Sequence, residues 1–175
     1  MNMAGFPAWF AGEIITADGL NGRNMRLVAQ ESDLDLTTTS FVASQITWVP
    51  EPNAVYAYWM YISYSADPTA DLVWEWEAEG TCGVLMASFT QAYAQSALAG
   101  ANTGAEIIMR RPANTTNRVA GGTDVANFHS AYDQGTFSTN AAPTAQTLYV
   151  SQAVASGETI LRGGNQTRLV YQRIA

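Results

Sequence analysis

The side chains with catalytic potential are few. His129 is the only histidine, and Ser130, Asp133 and Asp124 stand close by in sequence. A Ser/His/Asp set needs its three side chains hydrogen-bonded in series. Nothing in the spacing of these residues brings them together, so His129 reads as a polar surface residue. The lone Cys82 lies in an apolar, alternating run and reads as a buried, inert thiol. A zinc site needs several His or Cys ligands, and the chain has one of each. Glu75, Glu77 and Glu79 recur with strand spacing. They would lie about 7 Å apart on one strand face, a spacing that suits calcium or a glycosidase-type acid pair. A solvated, edge-protecting row of carboxylates is the simpler reading. Gly121-Gly122-Thr123-Asp124 and Gly163-Gly164-Asn165 lack the strand-to-helix context and the lysine of a phosphate loop, and read as turns. Asn114-Thr115-Thr116 and Asn165-Gln166-Thr167 match glycosylation acceptors but have no secretory signal to make use of them. The remaining chemical resource is aromatic: Trp48, Tyr56, Tyr58, Trp59, Tyr61, Tyr64, Trp74 and Trp76. Such a set serves either as core or as a platform on which sugar rings stack.

These residues need elements to position them, and the clearest element is Asp71–Phe89. Leu72, Trp74, Trp76 and Ala78 alternate with Asp71, Val73, Glu75, Glu77 and Glu79. Period-two alternation places the tryptophans on one strand face and the carboxylates on the other. Two tryptophans on one face call for a broad apolar partner, such as a second sheet about 10 Å away. Glu79-Gly80-Thr81 is expected to turn the chain, and Cys82–Phe89 to return as a second, mostly buried strand.

Elsewhere the chain is punctuated in the same way. Thr37–Ser44 and Ile46–Val49 are short β-prone runs before Pro50 and Pro52. Ala54–Ser65 is a long strand, apolar on both faces, as for a central strand or one at a subunit contact. Ala105–Arg110 is a strand, 111–124 a polar loop, and Val125–Thr139 a loosely alternating stretch around Gly135. Gln146–Val154, a short edge strand at Thr159–Leu161, and Thr167–Ile174 follow. Turns recur without β-α-β alternation, so the fold class is all-β: an antiparallel β-sandwich of about eight strands, most simply a jelly roll, with an extended N-terminal arm. The arm is expected to span 1–34 and the sandwich 35–175. Thr16 is placed to cap a short helix through Leu20 and Met25. The expected core is Trp59, Leu72, Trp74, Trp76, Val84, Leu148 and Leu169.

Composition narrows the partners. Only 13% of residues are charged, against a usual quarter, and all eight basic residues are arginine. Low charge with aromatics and arginine suits a surface partly covered by neighbours. A net charge of −7 argues against nucleic acid. Residues 1–79 carry −9 and residues 80–175 carry +2, which offers complementary surfaces to adjacent copies. No run of about 18 apolar residues suggests a membrane span. The N-terminus has no basic residue before its apolar part and makes a poor signal peptide, so assembly in a cytoplasm is expected.

Gly12-Glu13-Ile14-Ile15-Thr16-Ala17-Asp18-Gly19-Leu20-Asn21 resembles the Gly-x-x-Leu-Thr-Ala-x-x-Leu/Met-Asn segment of many tailed-bacteriophage virion proteins, among them head decoration (cement) proteins and fibre modules. Ala70-Asp71-Leu72 with Trp74 and Trp76, then Gly80-Thr81, resembles their central strand. Leu148, Gln152, Thr159, Leu161, Gly163, Leu169, Arg173 and Ile174 resemble their closing strands. Ile15 replaces the usual leucine, and Glu79 stands near an expected proline. The resemblance implies a β-sandwich homotrimer without enzymatic activity or cofactor, located on the capsid surface of a virion. It also implies an arm contacting the major capsid protein and neighbouring decoration subunits, with Phe6, Pro7, Trp9, Phe10, Ile14, Leu20, Asn21 and Arg23 as its contact residues. The alternative is a head- or tail-fibre module that recognises a host cell-surface glycan.

Overall fold

A computed structural model describes residues 24–76 and 117–175, the backbone of 87–93 and 108–110, and residues 12, 14, 16 and 17. Twelve strands make up the elements of these residues. They form two antiparallel sheets that close over one core as a sandwich of jelly-roll type. No helix among the described residues is long and apolar enough to cross a membrane.

The larger sheet is built on β4 (Val55–Ala66), paired along most of its length with β9 (Asp124–Ser138). On the other side of β4 lie β12 (Arg168–Arg173) and β11 (Thr159–Leu161), placed end to end. They are in turn flanked by β1 (Arg26–Ala29) and β2 (Leu34–Leu36). Beyond β9 come β6 (Ala87–Tyr93) and β7 (Ile108–Arg110). The smaller sheet runs β3 (Val42–Trp48), β10 (Gln146–Gln152), β5 (Leu72–Trp76) and β8 (Arg118–Ala120).

The expected Trp74 strand is β5, and its parity is as read: Leu72, Trp74 and Trp76 are buried inward. Both tryptophans meet the opposite sheet. Trp74 Nε1 donates to Asp133 on β9, and the Trp76 ring lies 6.3 Å from that of Tyr58 on β4. Along β4, Tyr56, Tyr58, Met60, Ile62 and Tyr64 point inward and are buried. Trp48 anchors one end of the core, its ring 4.9, 5.3 and 4.4 Å from Tyr56, Phe137 and Tyr171. Leu148 and Leu169 are fully buried. Val84 lies outside the described residues.

Several expectations are corrected. Trp59 is not core: it has the opposite parity from Tyr58 and Met60 and lies half-buried on the outer face. An arm ending at residue 34 is too long, because β1 and part of β2 are already hydrogen-bonded into the larger sheet. Their pairing partners, β12 and β11, lie more than a hundred residues away, so no local signal marks them. The return after β5 does not form a hairpin with it. β5 lies between β10 and β8, whereas β6 belongs to the larger sheet. The 111–124 loop contains β8. β11 is not an edge strand, since it pairs with both β2 and β4. Ala17 is helical, but Asn24 and Met25 are not, so a helix from Thr16 does not reach Met25.

Candidate functional site

The catalytic arrangement considered for His129 does not form. Successive residues on a strand face opposite sides, so His129 and Asp133 of β9 point into the core while Ser130 is exposed. His129 is fully buried rather than on the surface. Its ring stacks on Tyr64 with centroids 5.1 Å apart. The Thr123 amide donates to Nε2 at 3.1 Å. An acceptor nitrogen carries no proton, so the imidazole is neutral. Burial pushes its pKa below the usual value, partly offset by the Tyr64 backbone and the Asp124 charge.

Asp133 is the centre of a buried polar node. Tyr58 Oη donates to Oδ1 at 2.8 Å, and Trp74 Nε1 to Oδ2 at 3.0 Å. Arg118 Nε of β8 forms an ion pair with Oδ2 at 2.8 Å. Four strands from both sheets thus meet at one carboxylate. A signal for this node is present in the sequence. Asp133 is in phase with Ala131 and Phe137, and a carboxylate in an apolar register needs a buried cation or donors.

Glu75 lies on a central strand, not an edge. It is half-buried, and burial raises its pKa, with Arg118 acting in the opposite sense. Glu77, Glu79 and Cys82 lie outside the described residues. Among the described residues no group of three or more His, Cys, Asp or Glu side chains could hold a metal.

The arrangement best suited to contact another molecule is on the outer face of the larger sheet. β4 and β9 place Trp59 opposite Gln134 and Tyr61 opposite Tyr132. The Tyr61 and Tyr132 rings meet edge to face at 5.4 Å. Trp59, Met60, Tyr61, Tyr132 and Gln134 line a cavity of about 250 Å³. On the β12 side, the Arg168 guanidinium lies 5.1 Å over the Tyr61 ring and donates to the Asn165 carbonyl. Further along this face, Arg162 lies over the exposed Phe128 ring at 4.8 Å. Alternation explains the pattern: Phe128 and Tyr132 share the outward parity of β9, and Phe137 has the inward one.

Of the expected arm residues, Ile14 is described and is 83% exposed. Phe6, Pro7, Trp9, Phe10, Leu20, Asn21 and Arg23 lie outside the described residues. Where the segment joins the sandwich, Met25 is 59% exposed and Leu27 of β1 60%.

No family model matches the chain, and no curated protein does. Among solved structures, a family 16 carbohydrate binding module-2 aligns over 88% of this chain and 85% of that one, at 11% identity and a TM-score of 0.27. The infectious bursal disease virus VP2 subviral particle aligns over 96% of this chain at 8% identity and a TM-score of 0.23. The chain spans 41% of that protein's length. Likenesses this slight support no assignment.

Proposed function

We propose that the protein is a structural subunit of a tailed-bacteriophage head: a decoration (cement) protein that binds the outer capsid surface as a homotrimer, bridges capsomers through its N-terminal arm and performs no catalysis. The reading draws its identity from the sequence resemblance. The observation that carries it further is the exposure of apolar side chains within the arm and at the first strand of the sandwich. Ile14, Met25 and Leu27 are each more than half exposed. Among the described residues β1 is the outermost strand on its side of the larger sheet, so Asn24 and Met25 lead into it at an edge. Large apolar side chains at such an edge gain most by docking on a neighbour. Three such contacts on one trimer act together, because linked sites raise the effective concentration to about the mM range.

Deletion of residues 1–23 tests this directly, since it spares β1. The truncated protein is expected to keep its β circular dichroism and melting temperature but to lose attachment to undecorated heads of the parent phage, measured by co-sedimentation. Normal decoration by the truncated protein would overturn the role given to the arm.

A further inference from the structure

We propose that the outer-face cavity between β4 and β9 is a carbohydrate site that takes one neutral pyranose ring. The site is separate from the arm, so it stands whether or not the arm binds capsid. The cavity presents three aromatic residues, Trp59, Tyr61 and Tyr132, beside the carboxamide of Gln134. A pyranose has the complementary chemistry: apolar C–H faces that stack on rings and hydroxyls that pair with an amide. None of the five residues that line it is ionisable at neutral pH except the weakly acidic tyrosines, and Met60, whose side chain points inward, borders it only from the strand; this suits an uncharged ligand. Arg168 over Tyr61 places positive charge at the rim and disfavours a cationic one. Size limits the occupant as well. At about 250 Å³ the cavity is smaller than the roughly 300–1,000 Å³ of pockets for drug-sized ligands, so it accommodates a single ring rather than a chain segment. Trp59 also needs explaining on structural grounds. A tryptophan on an outer sheet face contributes little to the core, whereas it is one of the residues that line this cavity.

The test is titration of the full chain with methyl glucoside, methyl galactoside, N-acetylglucosamine and sialyllactose, followed by ligand-observed NMR and tryptophan fluorescence. At least one neutral sugar is expected to bind. Gln134→Ala should weaken that binding about tenfold, as for one lost hydrogen bond. Trp59→Ala should abolish it, and Phe128→Ala, outside the cavity, should leave it unchanged. Gln134 is exposed, so its variant keeps the test decisive if Trp59→Ala folds poorly. Three results would overturn the proposal: no neutral sugar bound, binding confined to sialyllactose, or binding indifferent to Gln134→Ala. A wild-type oligomer that binds no sugar and dissociates in Trp59→Ala would assign the cavity to a contact between copies instead.

Discussion

Asp133 and Arg118 form a buried ion pair, a kind of contact that adds little net stability but is costly to break. Both side chains are essentially inaccessible to solvent. Desolvating two charges offsets most of their attraction, yet removing one partner leaves the other buried and uncompensated. Asp133→Ala is therefore expected to destabilise the protein by about 3–5 kcal/mol, read from urea unfolding. Part of that loss comes from Tyr58 and Trp74, whose donors would be left without their acceptor. His129 behaves differently. Its native pKa lies below the unfolded value because the buried ring resists charging. The unfolded chain therefore takes up a proton that the native one refuses, and stability present above pH ~6.5 is lost as pH falls towards the native pKa. Asp33 is also depressed, by the Gly163 amide and then Arg162, but its contribution is lost only below about pH 3.8. Glu75, raised by burial, acts with the opposite sign above about pH 4.5. The His129 component is isolated by difference: the stability loss between pH 7 and 5 should be smaller in His129→Gln than in the wild type.

At the scale of elements, the interrupted pair β1–β2 against β11–β12 sets the shape of one sheet margin. Residues 30–33 and 162–167 leave the ladder together and bond to each other. Gln30 N donates to Thr167 O, Gly164 N to Glu31 O, and Gly163 N to Asp33 Oδ1 at 2.7 Å. Arg162 Nη1 closes the same corner on Asp33 Oδ2. Gly163 has no room for a side chain, because a Cβ there would lie 2.2 Å from the Ser32 carbonyl carbon. Gly163→Ala forces two backbone segments apart and is expected to cost about 1–3 kcal/mol, the range of core overpacking, with a lowered melting temperature as the readout. Gly164, which has φ +60° and nothing near its Cβ position, should suffer from backbone strain alone. The resemblance to closing strands in the sequence included Gly163, and the structure gives that position a steric reason.

For the whole molecule, the topology joins the two ends of the described sandwich. Arg26 pairs with Tyr171, and Val55 N donates to Ala175 O. β4 pairs with β9 and β12, both far along the chain. Such non-local pairings must close long loops before they gain contacts, so refolding is expected in roughly milliseconds to seconds, not microseconds, as stopped-flow fluorescence of the buried tryptophans would show. Loss of residues 168–175 removes β12 from between β1 and β4 and should prevent folding, whereas loss of 1–23 is expected to be tolerated.

Strand existence and most inward positions were legible in the sequence wherever one face was apolar and the other was not. Leu72, Trp74 and Trp76 alternate with Asp71, Val73 and Glu75, and the contrast of the tryptophans with the acids assigned their side. β4 offered no contrast. Trp59 and Tyr61 are as aromatic as Tyr56 and Tyr58, so periodicity placed the strand at the centre without saying which rings faced out. The pairing with β9 decided it: Ala131, Asp133 and Phe137 share the buried side with Tyr58 and Met60, and Tyr132 and Gln134 share the outer side with Trp59 and Tyr61. Sheet membership was likewise non-local: β1, β6 and β8 are held by partners beyond the reach of any turn signal. The chain thus determined by its own pattern that two apolar layers would close on each other. Only the packed structure chose which aromatic residues would be left on the outer face, since that choice depends on residues brought together from distant parts of the sequence.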